Sequence, residues 1–178
     1  LAIGLPDENL IRNAAQQLAG NARGVIKIIL TRGESGRGYL AGAGPATCIV
    51  SVHAMPSPLP VPLALYWCGT ALSEQPALAG IKHLNRLENV LARRECDLAG
   101  YPEGLMCNRA GQVICATSAN VFLHAAGRWH TPDVGVCGIA GITRAWMIRH
   151  IGAACVGSVT RAMLENAGIP TVEIMDVD

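Results

Sequence analysis

Lysine is scarce in this chain. Twelve of its fourteen basic residues are arginine, and the two lysines stand at positions 27 and 82. Aromatic residues are scarce too, at 4% with phenylalanine present once. No basic run interleaved with aromatics occurs, so nucleic acid is not an expected partner. Charged residues make up only 15% against 51% apolar, with a formal net charge of +1. That balance excludes a disordered chain and points to a folded enzyme or oligomer subunit. Long hydrophobic runs are missing as well: proline or glycine interrupts each apolar stretch well before membrane-spanning length, and no secretory leader opens the sequence. No membrane association is expected. The seven cysteines, at 48, 68, 96, 107, 115, 137 and 155, are odd in number and contain no C-x-x-C pair. A disulfide framework or a zinc site is therefore disfavoured, and reduced thiols in the cytoplasm are the simplest reading. The histidines at 53, 83, 124, 130 and 150 lack ligand spacing, and no metal is expected.

The 178 residues can hold one core or two small lobes. Pro6-Asp7 opens a helical pattern with apolar positions at 10, 11, 14, 15 and 18 and a stop at Gly20. "GVIKIILTRG" reads as a buried strand running into the turn "GESGRGY"; "ATCIVSVHAMP" and "PLALYWC" read as two more strands, separated by the proline-rich "PSPLPVP". Residues 1–68 thus form part of a small N-terminal α/β lobe, and the weakly periodic 69–80 a connector. The second lobe, 81–178, starts with a helical pattern over "HLNRLENVLARREC", apolar at 84, 87, 90 and 91 with a charged opposite face. Short strands follow in "GLMCN", "QVICATS" and "NVFLHA", with hairpin chemistry in "RAG" and "AAGR". A strand at "RWHTP", a glycine-bearing loop and a helix from about 142 come next. A last helix stops at Gly168 and feeds "TVEIM". The fold class is α+β, without internal repeats. The chain opens in mid-pattern at Leu1 and stops on a finished strand, as a piece of a longer protein would.

Three stretches carry possible chemistry. Lys82 has apolar neighbours at 78, 79 and 81 and what reads as a first helical turn after it. A lysine there commonly reaches to solvent. An amine partly buried beside apolar groups is instead favoured in its neutral, nucleophilic form, as a carbonyl-binding lysine requires. "GIAGITR", 138–144, is a glycine pair leading a helix, whose free N–H groups and dipole favour an anion; the donors would be the amides of Ile142 and Thr143 and the Thr143 hydroxyl. An ordinary glycine-led helix start has the same appearance. Arg37, in "SGRGY", has a planar fork suited to a carboxylate, although a lone turn arginine is usually only solvated.

"LAGIKHLNRLENVLAR", "GQVICATSANVFL" and "TPDVGVCGIAGITR", in this order and separation, resemble the fold-type IV pyridoxal-phosphate enzymes. That group includes branched-chain and D-amino-acid aminotransferases and 4-amino-4-deoxychorismate lyases; "GIKHLNRLE", with "SGRGY" followed by "GPAT", is most similar to the lyases. The resemblance runs from about residue 21 to 178. It implies a two-lobed fold of which this chain covers part of each lobe, pyridoxal 5′-phosphate as cofactor, and a small-molecule substrate. It also implies a homodimer. Lys82 matches the lysine that bonds covalently to the cofactor, Gly141, Ile142 and Thr143 match its phosphate site, and Arg37 matches a substrate-facing region. The implied reaction splits 4-amino-4-deoxychorismate into 4-aminobenzoate and pyruvate, a step of folate synthesis, with Lys82 as general base. The alternatives are an aminotransferase with the same lysine, and a silent homologue.

Two departures from the pattern stand out. The position five residues before the Asn of "SAN" carries, in the family, a glutamate against the cofactor's ring nitrogen; here it is Cys115. A thiol is a weak hydrogen-bonding group and would hold that nitrogen less firmly unless ionised. A lyase tolerates this better than an aminotransferase, because gaining an aromatic ring drives the elimination. Further phosphate and substrate contacts of the family fall outside Leu1–Asp178, so this stretch supplies only part of a pocket.

Overall fold

A computed structural model describes residues 3–21, 23–40, 42–57, 62–166 and 172–176. The helix stop expected at Gly168 lies outside them, as does most of the proline-rich "PSPLPVP". The chain divides into two compact units, 1–58 and 59–178.

In the first unit, helix α1 (Glu8–Ala19) starts where the Asp7 carboxylate accepts the Asn9 N–H at 2.8 Å, satisfying one of the donors a helix start leaves free. It ends at Gly20 and lies against β2; of its apolar stripe Ala15 is buried and Ile11 and Ala14 are partly covered, while Leu10 and Leu18 are exposed. Strands β1 (Gly24–Thr31) and β2 (Thr47–Ala54) pair antiparallel from Gly24↔Ala54 to Thr31↔Thr47. The long turn between them, which carries Arg37, needs glycine at 33: φ is +81° there, and a Cβ would lie 2.0 Å from the Pro45 carbonyl oxygen.

In the second unit, β3 (Leu65–Trp67) runs parallel to β4 (Glu103–Cys107), which pairs antiparallel with β5 (Val113–Ala116). A four-stranded sheet follows in the order β8-β7-β6-β9, from β6 (Ala119–Ala125), β7 (Arg128–Pro132), β8 (Ala154–Val156) and β9 (Val172–Asp176). Helices α2 (Leu87–Ala99), α3 (Ile142–Trp146) and α4 (Arg161–Asn166) complete it, with a single π-helical turn, Met147–Ile151, continuing α3. Mixed parallel and antiparallel strands with helices agree with the expected class.

Both hairpins form where their turn residues stand. Ala126 and Gly127 each take positive φ, 50° and 74°, closing β6 onto β7 by the two-residue geometry that matches strand twist. Gly111, at φ 75°, serves the β4–β5 turn. The core is built on these strands, with Phe122, Met106 and Val121 at 0% exposure.

Three sequence expectations differ from this architecture. The first lobe was expected to reach residue 68, yet β3 is hydrogen-bonded to β4 and belongs to the second unit. The connector 69–80 is likewise wired in: it bridges Leu72↔Asn108 and Gly80↔Ile139. Three of its backbone N–H groups bond to α2 side chains: Glu95 accepts from the Gly69 and Thr70 N–H groups and the Thr70 hydroxyl, and Glu88 accepts the Ser73 N–H at 3.0 Å. The charged face of α2 is thus an acceptor row for a segment lacking periodicity of its own. Finally, the apolar stripe expected over 83–96 does not pack inward: Leu84, which precedes α2, and Leu87, Val90 and Leu91 on it are exposed, while the small Ala92 and Cys96 are buried. Close approach of strand to helix decides this, since a Cβ on Gly104 would lie 2.5 Å from the Cys96 sulfur and 2.7 Å from that of Cys68.

Burial alone would raise the Glu95 carboxyl, but the bonds from Thr70 and Gly69 outweigh it and leave the group below its usual range. A carboxyl depressed in the folded state stabilises above its unfolded pKa, and that gain is lost as pH falls through the folded pKa. Glu95→Gln is therefore expected to be less stable than the parent at neutral pH. The gap should close below about pH 4, as read from melting temperatures across pH; a gap constant with pH would refute the assignment.

Candidate functional site

The segment that carries Lys82 lies beside the start of α3. Gly80 donates its N–H to the Gly138 carbonyl at 3.0 Å, and Ala140 donates to the Gly80 carbonyl at 3.0 Å. This parallel bridge, Gly80↔Ile139, leaves Lys82 two residues beyond it on one segment and Gly141 two residues beyond it on the other. Sequence positions almost sixty residues apart thereby become neighbours. Lys82 itself is exposed. Gly141 is buried, takes an extended conformation (φ −63°, ψ 154°) and caps α3 without any side-chain hydrogen bond. The first-turn N–H groups of α3 have no intrahelical acceptor and remain available to an anion. Through the π-helical turn the helical path runs on to Ile151, so the dipole is longer than five residues supply.

The helical turn that the sequence suggests directly after Lys82 does not form there. Helix α2 begins only at Leu87. Residues 83–86 instead form an irregular bend in which the Arg86 side chain donates from Nε to the His83 carbonyl at 3.2 Å and from Nη2 to the Ile81 carbonyl. Those carbonyls are thereby removed from helical bonding.

Cys115 lies on β5 opposite Met106, buried at 7% exposure. It lines a small cavity with Arg86, Asn89, Thr117, Asn120 and Ile139, so the strand wall and the Lys82 bend share one space. Burial pushes the Cys115 thiol up to about 12; Cys137 adds to this, and the nearby Arg86 charge opposes it. The group is a neutral thiol, and the ionised form is excluded at neutral pH. A second cavity, about 280 Å³, shares Leu72, Arg86 and Gly138 with the first and is lined also by Ser73, Gln75, His83 and Glu88 among others.

Lys82, Cys115, Gly141, Ile142 and Thr143 all belong to the second unit, but of these only Cys115 lines either cavity. Arg37 belongs to the first unit, exposed in the turn after β1. Three further residues shape the site without any motif announcing them. Glu103, 1% exposed, accepts from the Gly104 N–H at 2.8 Å, the Thr117 N–H at 2.9 Å, the Thr117 hydroxyl and the Ser118 hydroxyl at 2.6 Å. It thereby builds the corner after Cys115. Asn120 donates to the Ile139 carbonyl at 2.9 Å, tying β6 to the strand that bridges Gly80, and its Oδ1 is buried without a partner. Arg86 is the third. Its only sequence signal is a spacing of four from Lys82, which on a helix would mean a shared face; here there is no helix.

The sequence profile of the family described as Amino-transferase class IV matches residues 3–167. This chain belongs to that family. An aminodeoxychorismate lyase of Vibrio harveyi is 33% identical over 135 residues, 71% of this chain and 48% of the relative. The chain thus spans about half the length of that curated relative. The 4-amino-4-deoxychorismate lyase structure of Pseudomonas aeruginosa aligns at TM-score 0.83 with 37% identity, over 98% of this chain and 67% of that one. A branched-chain amino acid aminotransferase of Escherichia coli aligns at TM-score 0.77 with 16% identity, over 98% of this chain and 62% of that one, and shares the fold.

Pyridoxal phosphate is the cofactor of the class IV family. The donor set of the second unit suits it: a primary amine at Lys82 for its aldehyde, and a helix start without a capping side chain for its phosphate. The buried wall offers the neutral Cys115 thiol and the orphaned Asn120 oxygen. Among the described residues no cluster of His, Cys, Asp and Glu could hold a metal ion, and no helix is long and apolar enough to cross a membrane.

Proposed function

We propose that this chain carries the cofactor-binding part of a pyridoxal-phosphate-dependent 4-amino-4-deoxychorismate lyase. The supporting observation is the Gly80↔Ile139 bridge, which seats the Lys82 bend beside the uncapped start of α3. Lyase is preferred over aminotransferase because the relatives at 33% and 37% identity are lyases, whereas the aminotransferase likeness, at 16–21%, concerns the fold.

When bound, the cofactor supplies an electron sink. The amides of Ile142 and Thr143, with the Thr143 hydroxyl and the close backbone approach that Gly141 permits, would hold the phosphate. Lys82 Nζ would hold the cofactor covalently, and as a free amine it would take the proton from the carbon bearing the substrate's amine, a proton that balances the one the departing enolpyruvate needs to become pyruvate. Cys115, kept neutral by burial, offers the ring nitrogen a thiol rather than a charge. The aromatic ring formed in the product lowers the demand on that position. Arg37 takes a substrate carboxylate through its planar fork. The exposed Leu84, Leu87, Val90 and Leu91 support a homodimer, in which a second copy covers that stripe.

Protein loaded with pyridoxal 5′-phosphate is expected to convert 4-amino-4-deoxychorismate into equal amounts of 4-aminobenzoate and pyruvate, followed by chromatography, and to sediment as a dimer. Conversion of the cofactor to its amine form by D-alanine or a branched-chain amino acid, without lyase turnover, would assign an aminotransferase instead.

A further inference from the structure

We propose that Arg86 is the positioning residue of the reactive lysine: its guanidinium clamps the backbone on both sides of Lys82 and so aims the amine. This deepens the cofactor reading above and rests on it for its functional meaning, although the clamp itself is made by hydrogen bonds within the chain.

The two carbonyls that Arg86 binds belong to Ile81 and His83, the residues immediately before and after Lys82. The planar fork bridges them from outside, and the peptide units flanking the lysine cannot rotate without losing a bond. The Arg86 backbone N–H closes the bend further by donating to the Leu84 carbonyl at 2.9 Å. No regular secondary structure fixes this stretch: the bridge ends at Gly80 and α2 begins at Leu87. Orientation of the amine therefore depends on a side chain. The cost is visible in the surroundings. Arg86 is half-buried, forms no ion pair with an acid among the described residues, and lines both cavities. Burial depresses its guanidinium, and burial together with the Arg86 charge depresses the imidazole of His83, whose Nδ1 is buried without a partner. Burial opposes the Arg86 charge more than the nearby Cys115 and Glu88 favour it. A helix start is its ordinary setting for an acid or a hydroxyl, not for a cation. Its retention here is explained by what it holds.

Lysine in this place offers one nitrogen rather than a fork and cannot reach both carbonyls in one plane. Glutamine keeps a donor and removes the charge.

The test uses the 178-residue chain, whose two lysines are Lys27 and Lys82. Amide hydrogen exchange of 81–86, with 92–99 of α2 as internal reference, is compared in the parent, Arg86→Lys and Arg86→Gln. Exchange of the bend is expected to rise at least about tenfold in both variants, with α2 and the melting temperature little changed. In parallel, trinitrobenzenesulfonate labelling is mapped by mass, with Lys27 as reference; the Lys82-to-Lys27 ratio is expected to change several-fold. Pyridoxal 5′-phosphate trapped at Lys82 by borohydride is expected to form at least about tenfold more slowly in both variants, with guanidinium ion partly restoring the rate in Arg86→Gln. Unchanged exchange of 81–86 in both variants overturns the clamp. Faster exchange of the bend together with no trapped adduct even in the parent supports the clamp and overturns the cofactor reading instead.

Discussion

Lys82→Ala is expected to fold normally and to lose at least about a thousandfold of its lyase turnover, since positioned proton transfer alone contributes about 10²–10⁴-fold and the covalent link is lost with it. The side chain is exposed, so truncation removes little packing and stability should change by less than about 0.5 kcal/mol. Borohydride reduction of the loaded parent followed by peptide mass analysis should find the cofactor on the peptide containing Lys82. It should be absent from Lys27 of β1, the other lysine of the chain. An adduct at Lys27 in equal yield, or turnover that survives the substitution, would remove Lys82 from the chemistry and with it the proposed function.

The second large effect is expected at Glu103. Its carboxylate is buried at 1% exposure and satisfies two backbone N–H groups and two hydroxyls. Hydrogen bonds to a charged group contribute about 1.5–3 kcal/mol each, and a buried donor left without a partner costs its desolvation in addition. These terms are not additive, because the Thr117 N–H also reaches the Gly104 carbonyl at 3.0 Å and the hydroxyls can turn. Glu103→Ala is therefore expected to cost about 3–5 kcal/mol, from several buried donors left without an acceptor at about 1–3 kcal/mol each. Glu103→Gln, which keeps the shape and one acceptor, should cost less than half as much. Urea unfolding followed by circular dichroism would show the midpoint shift at unchanged slope. A loss below about 1 kcal/mol for the alanine variant would mean that water replaces the carboxylate without penalty. The effect reaches the site because the corner that Glu103 builds, Thr117 and Ser118, lines the same cavity as Cys115 and Asn120.

Glu103 also illustrates what a linear reading misses. An acid at the first position of a strand, in "YPEGLMCN", is indistinguishable from a solvated turn residue until the corner at 117–118 returns to it. The helix boundary before α2 failed for a related reason. The apolar spacing at 84, 87, 90 and 91 is helical, but the carbonyls of residues 81 and 83 bond to a guanidinium rather than to backbone amides. The stripe itself proved exposed, because helix and strand meet through Gly104, Ala92 and Cys96, where small side chains permit close approach. Burial follows the shape of the contact as well as hydrophobicity.

What the amino-acid sequence determined by itself was everything that depends on neighbours along the chain. The hairpin closed by Ala126-Gly127, the Asp7 cap, the glycine-led start of α3 and the presence of a lone lysine after an apolar run all follow from local backbone preference. The family resemblance rested on the same segments, and the match over 3–167 agrees with it. Tertiary structure alone decided what requires distant residues to meet: that 80 bridges 139, that Arg86 closes over the flanks of Lys82, and that Cys115 is buried deeply enough to remain a thiol. Those outcomes depend on which surfaces lose water and which charges come together, and neither is a property of a segment read in isolation.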